Sequence, residues 1–122
     1  MEDKIKDGTF EIVGAAFKVH SALGQGLREK PYENALVIEL RKFSEVVEQQ
    51  RSFPIRYENS IVGECVPDIT VDGRIVVEIK AIDEIGEREV GQLLNYLRIS
   101  KLKVGLILNF KNASLEIKRV VL

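Results

Sequence analysis

Apolar residues recur at every third or fourth position in three stretches of the chain, which predicts three amphipathic helices. The first helix is expected over about 9–23, with Thr9 as its N-cap. The segment Gly24-Gln25-Gly26 ends it, because closely spaced glycines favour a turn. The second and third helices are expected over about 29–43 and 87–100.

Between the second and third helices the pattern changes to that of strands. Runs rich in apolar and β-branched residues are bounded by turn residues, and they predict strands over 46–49, 53–57, 61–71 and 74–80. The nearly continuous apolar run 104–110 predicts a strand buried on both faces, and 115–121 predicts a last strand. This order of elements predicts an α/β fold in which helices pack on a sheet.

Two charged residues, Glu78 and Lys80, interrupt the apolar run 75–82. Because side chains alternate along a strand, both point to the same face. A surface hairpin with one face in water produces the same pattern, and that is its ordinary explanation. The preceding strand adds Asp68, and whether this residue joins the same face depends on the turn between the strands.

The length of the loop at Asp72-Gly73 decides where Asp68 points. A two-residue loop sends Asp68 and Glu78 to opposite faces, which would exclude a shared site. A three-residue loop over 71–73 pairs Asp68 with Val76 and leaves Asp68 diagonal to Glu78, at about 7–8 Å between backbones. Two carboxylates at that spacing can converge on a divalent cation beside a lysine, so we predict an odd-numbered loop.

The composition limits the chemistry available to this chain. Its 122 residues suit one domain over 1–122, and 18 Lys and Arg against 19 Asp and Glu give a net charge of −1. That balance argues against a protein that coats nucleic acid or a membrane by bulk charge. The single cysteine, Cys65, and the single histidine, His20, exclude an internal disulfide and a Cys/His zinc site. Carboxylates and lysines remain as the catalytic candidates.

The hairpin and the third helix carry a resemblance to a known superfamily. Pro67-Asp68, followed by a turn and by Glu78-Ile79-Lys80, resembles the PD-(D/E)xK motif of the restriction-endonuclease-like nucleases. Gln92 and Tyr96 form a Q-x-x-x-Y pattern that is similar to that of RecB-type nucleases.

The start of the second helix carries a more specific resemblance. Gly26, Glu29 and Tyr32 match the three named positions of the small GxxExxY family, and Asn109-Phe110 after the last buried strand is also similar to that family, as is His20. The resemblance covers nearly the whole chain, which is identified as a member of this family.

The resemblance implies an αβββαβ nuclease core with a mixed central sheet flanked by helices. It also implies a divalent-metal-dependent deoxyribonuclease that uses Mg²⁺ or Mn²⁺. Asp68, Glu78 and the backbone carbonyl of Ile79 would hold the metal, and Glu29 would join them from the second helix, directly or through water.

The resemblance also assigns roles to neighbouring residues. Lys80 would position or deprotonate the attacking water or stabilise the transition state, and Gln92 would orient Lys80 or the substrate phosphate. Three further residues are candidates for supporting the site: His20, Tyr32 and Tyr96. For His20 and Tyr32 the alternative is a place in the core, because both lie on apolar helical stripes. The hydroxyl of Tyr32 would then orient Glu29.

Charge distribution and chain length bear on partners. From Arg98 to Leu122 six residues are basic and one, Glu116, is acidic, which is compatible with a groove for DNA, single- or double-stranded. A domain this small cannot surround a duplex, so a homodimer or a larger complex is expected. The absence of a signal peptide and of a long apolar stretch predicts a cytoplasmic protein that does not enter a membrane.

Two other classes of function remain open from the sequence. The chain is alternatively a nucleic-acid-binding module that retains the site and does not cleave, or a protein-interaction subunit on the same fold. DNA binding without metal that survives Asp68→Asn would favour the binding module, and an exposed apolar patch without metal affinity would favour the protein-interaction subunit. Metal binding is the first property to measure, because every catalytic mechanism requires the Asp68 and Glu78 site.

Overall fold

The structure, a computed structural model, describes residues 7–122. In chain order its elements are α1 (Thr9–Leu23), α2 (Glu29–Leu40), β1 (Val47–Gln49), β2 (Phe53–Tyr57), β3 (Ser60–Cys65), β4 (Ile69–Val71), β5 (Ile75–Lys80), α3 (Glu87–Ser100), β6 (Val104–Asn109) and β7 (Glu116–Val121). Apart from the predicted strand 61–71, every expected element is present with ends within three residues of its predicted ends.

Five strands form one mixed sheet in the order β1-β4-β5-β6-β7. Within it β5 and β6 are parallel and are connected by α3, whereas the other neighbours are antiparallel. Strands β2 and β3 form a separate two-stranded sheet. The predicted mixed sheet flanked by helices is thereby confirmed.

The prediction of one continuous strand over 61–71 is wrong. The chain leaves the small sheet at Cys65 and enters the large sheet at Ile69, with Val66-Pro67-Asp68 between them. Proline has no N–H to donate to a strand neighbour, so Pro67 interrupts the hydrogen-bond ladder. Asp68 therefore lies just outside β4, and its N–H donates to the side chain of Glu78 and not to a strand backbone.

The two faces of the large sheet are covered by different helices. Helices α1 and α2 pack on the face that bears Val77 and Ile79, and α3 packs on the face that bears Val76 and Ile107. Burial of these alternating apolar side chains is the main stabilising contribution to the fold. Glu78 and Lys80 share the face of Val76, so they lie on the side covered by α3.

The predicted N-cap of α1 is displaced by one residue. Gly8, with φ of 96°, occupies the cap position, and Thr9 is the first helical residue. The backbone N–H and the hydroxyl of Thr9 both donate to Asp7 Oδ1. Partial burial acts to raise the pKa of Asp7, but hydrogen bonds from Arg119 and Thr9 outweigh it and lower the pKa to about 2.

None of the helices within residues 7–122 has both the length and the apolar character needed to cross a bilayer.

Candidate functional site

The β4–β5 hairpin aligns the two predicted metal ligands. Its loop contains three residues, Asp72-Gly73-Arg74, and its register pairs Thr70 with Val76. The loop is odd-numbered as predicted, but it lies one residue later than the predicted loop over 71–73. Asp72 and Gly73 both have positive φ (56° and 62°), a conformation that aspartate tolerates and glycine favours. As a result, Asp68 faces Glu78 directly and not along a diagonal.

Two hydrogen bonds across the hairpin hold the carboxylates of Asp68 and Glu78 in place. The Asp68 N–H donates to Glu78 Oε2 at 2.8 Å, and the Ile79 N–H donates to Asp68 Oδ2 at 2.8 Å. Each carboxylate therefore has one oxygen fixed by the backbone. Their remaining oxygens, Asp68 Oδ1 and Glu78 Oε1, accept no hydrogen bond from residues 7–122 and are available to a ligand.

Burial raises the pKa values of both carboxyl groups, which disfavours the state in which both are ionised. Burial raises the pKa of Glu78 to about 8, and the negative charge of Asp68 adds to the effect. Burial also raises the pKa of Asp68, with further contributions from the charges of Glu33 and Glu29. Hydrogen bonds and the positive charge of Lys80 offset only part of these increases. A bound cation would relieve the repulsion.

Lys80 is held beside this pair by the helix that covers it. Its Nζ donates to Gln92 Oε1 at 3.2 Å, and Gln92 Nε2 donates to the Tyr96 hydroxyl at 3.3 Å. Gln92 and Tyr96 are four residues apart on α3, so they present neighbouring side chains. Burial and then the charge of Glu78 raise the pKa of Tyr96, which keeps its hydroxyl protonated. The structure thus brings Lys80, Gln92 and Tyr96 together in one chain of hydrogen bonds.

Glu29 reaches the end of the same strand but not the carboxylate pair. Its Oε2 accepts from the Ala81 N–H at 3.1 Å, next to Lys80. Within residues 7–122 no group of three or more His, Cys, Asp or Glu side chains is arranged to hold a metal ion. The charge of Glu29 nevertheless acts on Asp68, so the place of Glu29 in the predicted set with Asp68 and Glu78, directly or through water, stays a prediction. Because α2 packs on the opposite face of the sheet, Glu29 reaches this region from the end of β5.

Tyr32 is a core residue, and its hydroxyl also holds the loop that precedes Glu29. It is fully buried, and its ring stacks on Phe110 with 4.6 Å between centroids. Its hydroxyl donates to the Gly24 carbonyl at 2.6 Å and accepts from the Leu27 N–H at 3.2 Å. The hydroxyl therefore contacts the backbone of the loop that precedes α2, and its predicted effect on the orientation of Glu29 would act through that loop.

His20 also has a structural role. Its Nε2 donates to the Asn112 carbonyl at 2.9 Å, and its ring lies 5.9 Å from that of Phe110. These contacts connect α1 to the segment after β6 and leave His20 away from Asp68 and Glu78. They match the alternative in which His20 is a partly buried, satisfied residue.

Replacing Tyr32 with phenylalanine tests the role of its hydroxyl. The Gly24 carbonyl and the Leu27 N–H lose their partner, so we expect a loss of about 1–2 kcal/mol in the free energy of unfolding. Urea denaturation measures this loss. Tyr57→Phe is the matched control, because Tyr57 is exposed and its hydroxyl makes no hydrogen bond with the described residues. Equal stabilities of the two variants would contradict the assignment.

Glu33 is a site residue that sequence reasoning missed. It is 3% exposed, and it accepts hydrogen bonds from Lys30 (3.1 Å), Gln49 (2.9 Å) and Gln50 (3.1 Å). Its negative charge raises the pKa of the Asp68 and Glu78 carboxyls. The available signal was its position four residues after Glu29, which places both acids on one helix face.

Asn109 has no role predicted from the sequence beyond its part in the family resemblance, and it supports the site from β6. It is fully buried; its Nδ2 donates to the Ile82 carbonyl at 2.8 Å and to Glu116 Oε1 at 2.9 Å, and its Oδ1 accepts from the Ile82 N–H at 3.0 Å. Glu116 in turn accepts from the Ile85 N–H. These bonds fix the loop that connects Lys80 to the start of α3. The signal in the sequence was a lone amide near the end of an apolar strand.

Comparison with known proteins agrees with this geometry. A family model described as the PD-(D/E)XK nuclease superfamily matches residues 6–120. The solved crystal structure of SSO0001 is similar over 97% of this chain and 69% of its own, with a TM-score of 0.54 and 14% sequence identity, which shows a shared fold. A search of curated proteins finds no significant match. The family match covers nearly the whole chain, and we conclude that this protein belongs to the PD-(D/E)XK nuclease superfamily.

Proposed function

We propose that residues 1–122 form one catalytic domain that hydrolyses DNA with the help of a divalent metal ion. The observation that supports this most directly is the Asp68–Glu78 pair, which has two free carboxylate oxygens beside a lysine held by Gln92. Hydrolysis of a phosphodiester develops negative charge on oxygen, so a cation and an ammonium group at one site are suited to that reaction.

The side chains present fit a hard cation. Asp68 and Glu78 offer oxygen ligands, which Mg²⁺ and Mn²⁺ prefer, and their raised pKa values reflect repulsion that a cation would remove. The carbonyl of Ile79 would add a third oxygen, and Glu29 would complete the site through water. When bound, such a cation neutralises charge on the phosphoryl group and lowers the pKa of water.

The chain's own side chains supply positioning and a second positive charge. Lys80 would orient or deprotonate the attacking water, or neutralise charge on the phosphoryl oxygens, and Gln92 would hold its ammonium group in place. Tyr96 supports Gln92 in turn. The hydrogen bonds from Lys80 to Gln92 and from Gln92 to Tyr96 support these roles.

Within the superfamily, we propose that the chain belongs to the GxxExxY family. The conformations and contacts of the three motif residues, Gly26, Glu29 and Tyr32, support this proposal. Gly26 has φ of 104°, a left-handed conformation that favours glycine at this position. Glu29 is the first residue of α2, and it accepts a hydrogen bond from the residue that follows β5. The hydroxyl of Tyr32 accepts from the N–H of Leu27, which lies between Gly26 and Glu29 in the chain. Each motif position therefore contributes to bringing Glu29 beside Lys80.

Calorimetry with Mn²⁺ and cleavage of labelled DNA test the proposal together. The wild-type protein should bind Mn²⁺ and cleave single- or double-stranded DNA, and Asp68→Asn should lose both properties while staying folded. Asp83→Asn is the matched control, because Asp83 is exposed and pairs with Lys111 away from the hairpin. A wild-type protein that neither binds Mn²⁺ nor cleaves DNA would contradict the proposal.

A non-cleaving nucleic-acid-binding module is the second candidate. It is favoured by one observation: the described residues contain no cluster of three metal-ligating side chains. DNA binding without metal that survives Asp68→Asn would support this alternative. A homodimer or larger complex and a cytoplasmic location belong to either proposal.

A further inference from the structure

A cleft of about 480 Å³ lies between β2 and the C-terminal end of α3. Its charged lining consists of Arg56 from β2 and of Arg98 and Lys101 from the end of α3, and its apolar walls include Ile55 and Ile99. None of the residues that line it is acidic. The cleft is thus a concave surface with three positive charges.

These three cations are free to bind an external anion. All three are exposed, and none forms an ion pair with a residue within 7–122; Arg98 Nη1 donates to Asn95 Oδ1 at 3.1 Å. The basic residues of the last 25 positions thereby divide into two groups, since Lys111 is paired with Asp83 and Arg119 with Asp7. The cleft collects cations that remain unpaired.

The helix dipole explains only part of this arrangement. Basic residues at a helix C-terminus are favourable to the dipole, which accounts for Arg98 and Lys101. Arg56 belongs to a different element, and strand β2 brings it to the same cleft. The guanidinium groups of Arg56 and Arg98 match the geometry of phosphate oxygens. Three cations on one concave surface are therefore suited to a phosphodiester backbone.

The cleft lies along the same helix as the candidate site. Gln92, Tyr96 and Ile99 are spaced at i, i+4 and i+7, so they share one face of α3. Gln92 contacts Lys80, and Ile99 lines the cleft. At a rise of about 1.5 Å per residue, Arg98 and Lys101 lie about 9 and 13 Å beyond Gln92 along the helix axis. Along the axis of a DNA duplex, at about 3.4 Å per base pair, this distance corresponds to about three or four nucleotides of one strand.

We infer that the cleft between β2 and the end of α3 binds the backbone phosphates of a DNA strand, three to four nucleotides from the bond to be cleaved at Asp68 and Glu78. This inference rests on the proposed nuclease function and adds the direction in which the strand leaves the site. The strand passes from Lys80 along α3 toward Arg98.

Salt dependence of DNA binding tests the inference. Arg56→Gln, Arg98→Gln and Lys101→Asn are combined in one cleft variant; asparagine is chosen at Lys101 because its φ of 65° is left-handed. The control variant combines Lys42→Gln, Lys103→Gln and Lys118→Gln, which remove the same charge from exposed positions outside both the cleft and the hairpin. Fluorescence anisotropy measures binding of a labelled single-stranded DNA in a chelating buffer, at about 50 to 200 mM salt.

The cleft variant should lose about 2 from the slope of log affinity against log salt, since each lost phosphate contact on a single strand removes about 0.7. The control variant should keep the wild-type slope. An equal loss in both variants, or a wild-type slope in the cleft variant, overturns the inference and leaves the nuclease function intact. A wild-type protein that neither binds nor cleaves DNA overturns both proposals.

Two further measurements exclude a folding defect. The cleft variant should keep the wild-type Mn²⁺ affinity and midpoint of thermal unfolding, because its three side chains are exposed and none forms a hydrogen bond or ion pair with Asp68, Glu78 or Lys80. If the combined variant does not fold, Arg56→Gln and Arg98→Gln are measured singly, and each should lower the slope by about 0.7. Two folded single variants with wild-type slopes overturn the inference.

Discussion

Replacing Lys80 with alanine is expected to lower the rate of DNA cleavage by about 10²- to 10⁴-fold, the usual contribution of a positioned proton-transfer group or charge. The ammonium group is held by Gln92 beside Asp68 and Glu78, so its removal takes away a charge at the reacting group. It leaves both carboxylates and their two backbone hydrogen bonds in place. Single-turnover cleavage of labelled DNA measures the change, and calorimetry should give an Mn²⁺ affinity within a few-fold of wild type.

The control for this prediction is Lys118→Ala, which removes an exposed lysine of β7 that has no ion pair within residues 7–122. Gln92→Ala should produce a smaller loss, about tenfold, in the turnover rate with little change in KM, because it only releases Lys80 from its fixed position. A Lys80→Ala protein that cleaves as fast as the Lys118→Ala protein would contradict the assignment.

Replacing Glu78 with glutamine is expected to stabilise the metal-free protein at pH 8 while abolishing cleavage. The folded-state pKa of Glu78 is about 8, above its ordinary value of 4.5, because the carboxyl is buried beside Asp68. Stability from the neutral carboxyl is fully present below about pH 4.5, and it is lost as the pH rises through 8. Glutamine does not ionise, so the variant keeps this stability, on the order of a few kcal/mol.

Urea denaturation of wild type and Glu78→Gln in a chelating buffer at pH 5 and pH 8 measures this effect. The two proteins should have similar stabilities at pH 5 and diverge at pH 8. Added Mn²⁺ should stabilise the wild type at pH 8 and leave the variant nearly unchanged, because ligand binding to the folded state adds stability. Glu64→Gln is the control, since Glu64 is exposed. Parallel pH profiles for wild type and Glu78→Gln would contradict the prediction.

Local patterns in the sequence were sufficient for most elements of the fold. Helical spacing located α1, α2 and α3, and runs of apolar residues located β5 and β6. Strand alternation also placed Glu78 and Lys80 on one face, and the requirement that Asp68 join them predicted the odd-numbered loop that the structure has. These inferences succeed because each depends on residues that are close in the chain.

The inferences that failed depend on contacts between distant segments. The break at Pro67 moves β3 into a second sheet, and the exact register of the hairpin changed the Asp68–Glu78 pair from diagonal to directly opposed. The predicted role of Glu29 depends on such contacts too: Glu29 accepts from the Ala81 N–H at the end of β5, and its charge acts on Asp68. From the sequence alone, Glu33 is expected to be a solvent-exposed residue of the helix. In the structure it is buried, because Gln49 and Gln50 pack against it and donate hydrogen bonds to its carboxylate.

The sequence by itself determined the order of helices and strands, the face that Glu78 and Lys80 share, and the restriction of the chemistry to carboxylates and lysines. Spacing and composition carry this information because side-chain direction follows the local backbone period. Only the tertiary structure decided which of those groups meet, how deeply Glu78 is buried and which cations remain unpaired in the cleft beside α3. Burial and charge pairing are sums over neighbours that are far apart in the chain, so no local pattern contains them.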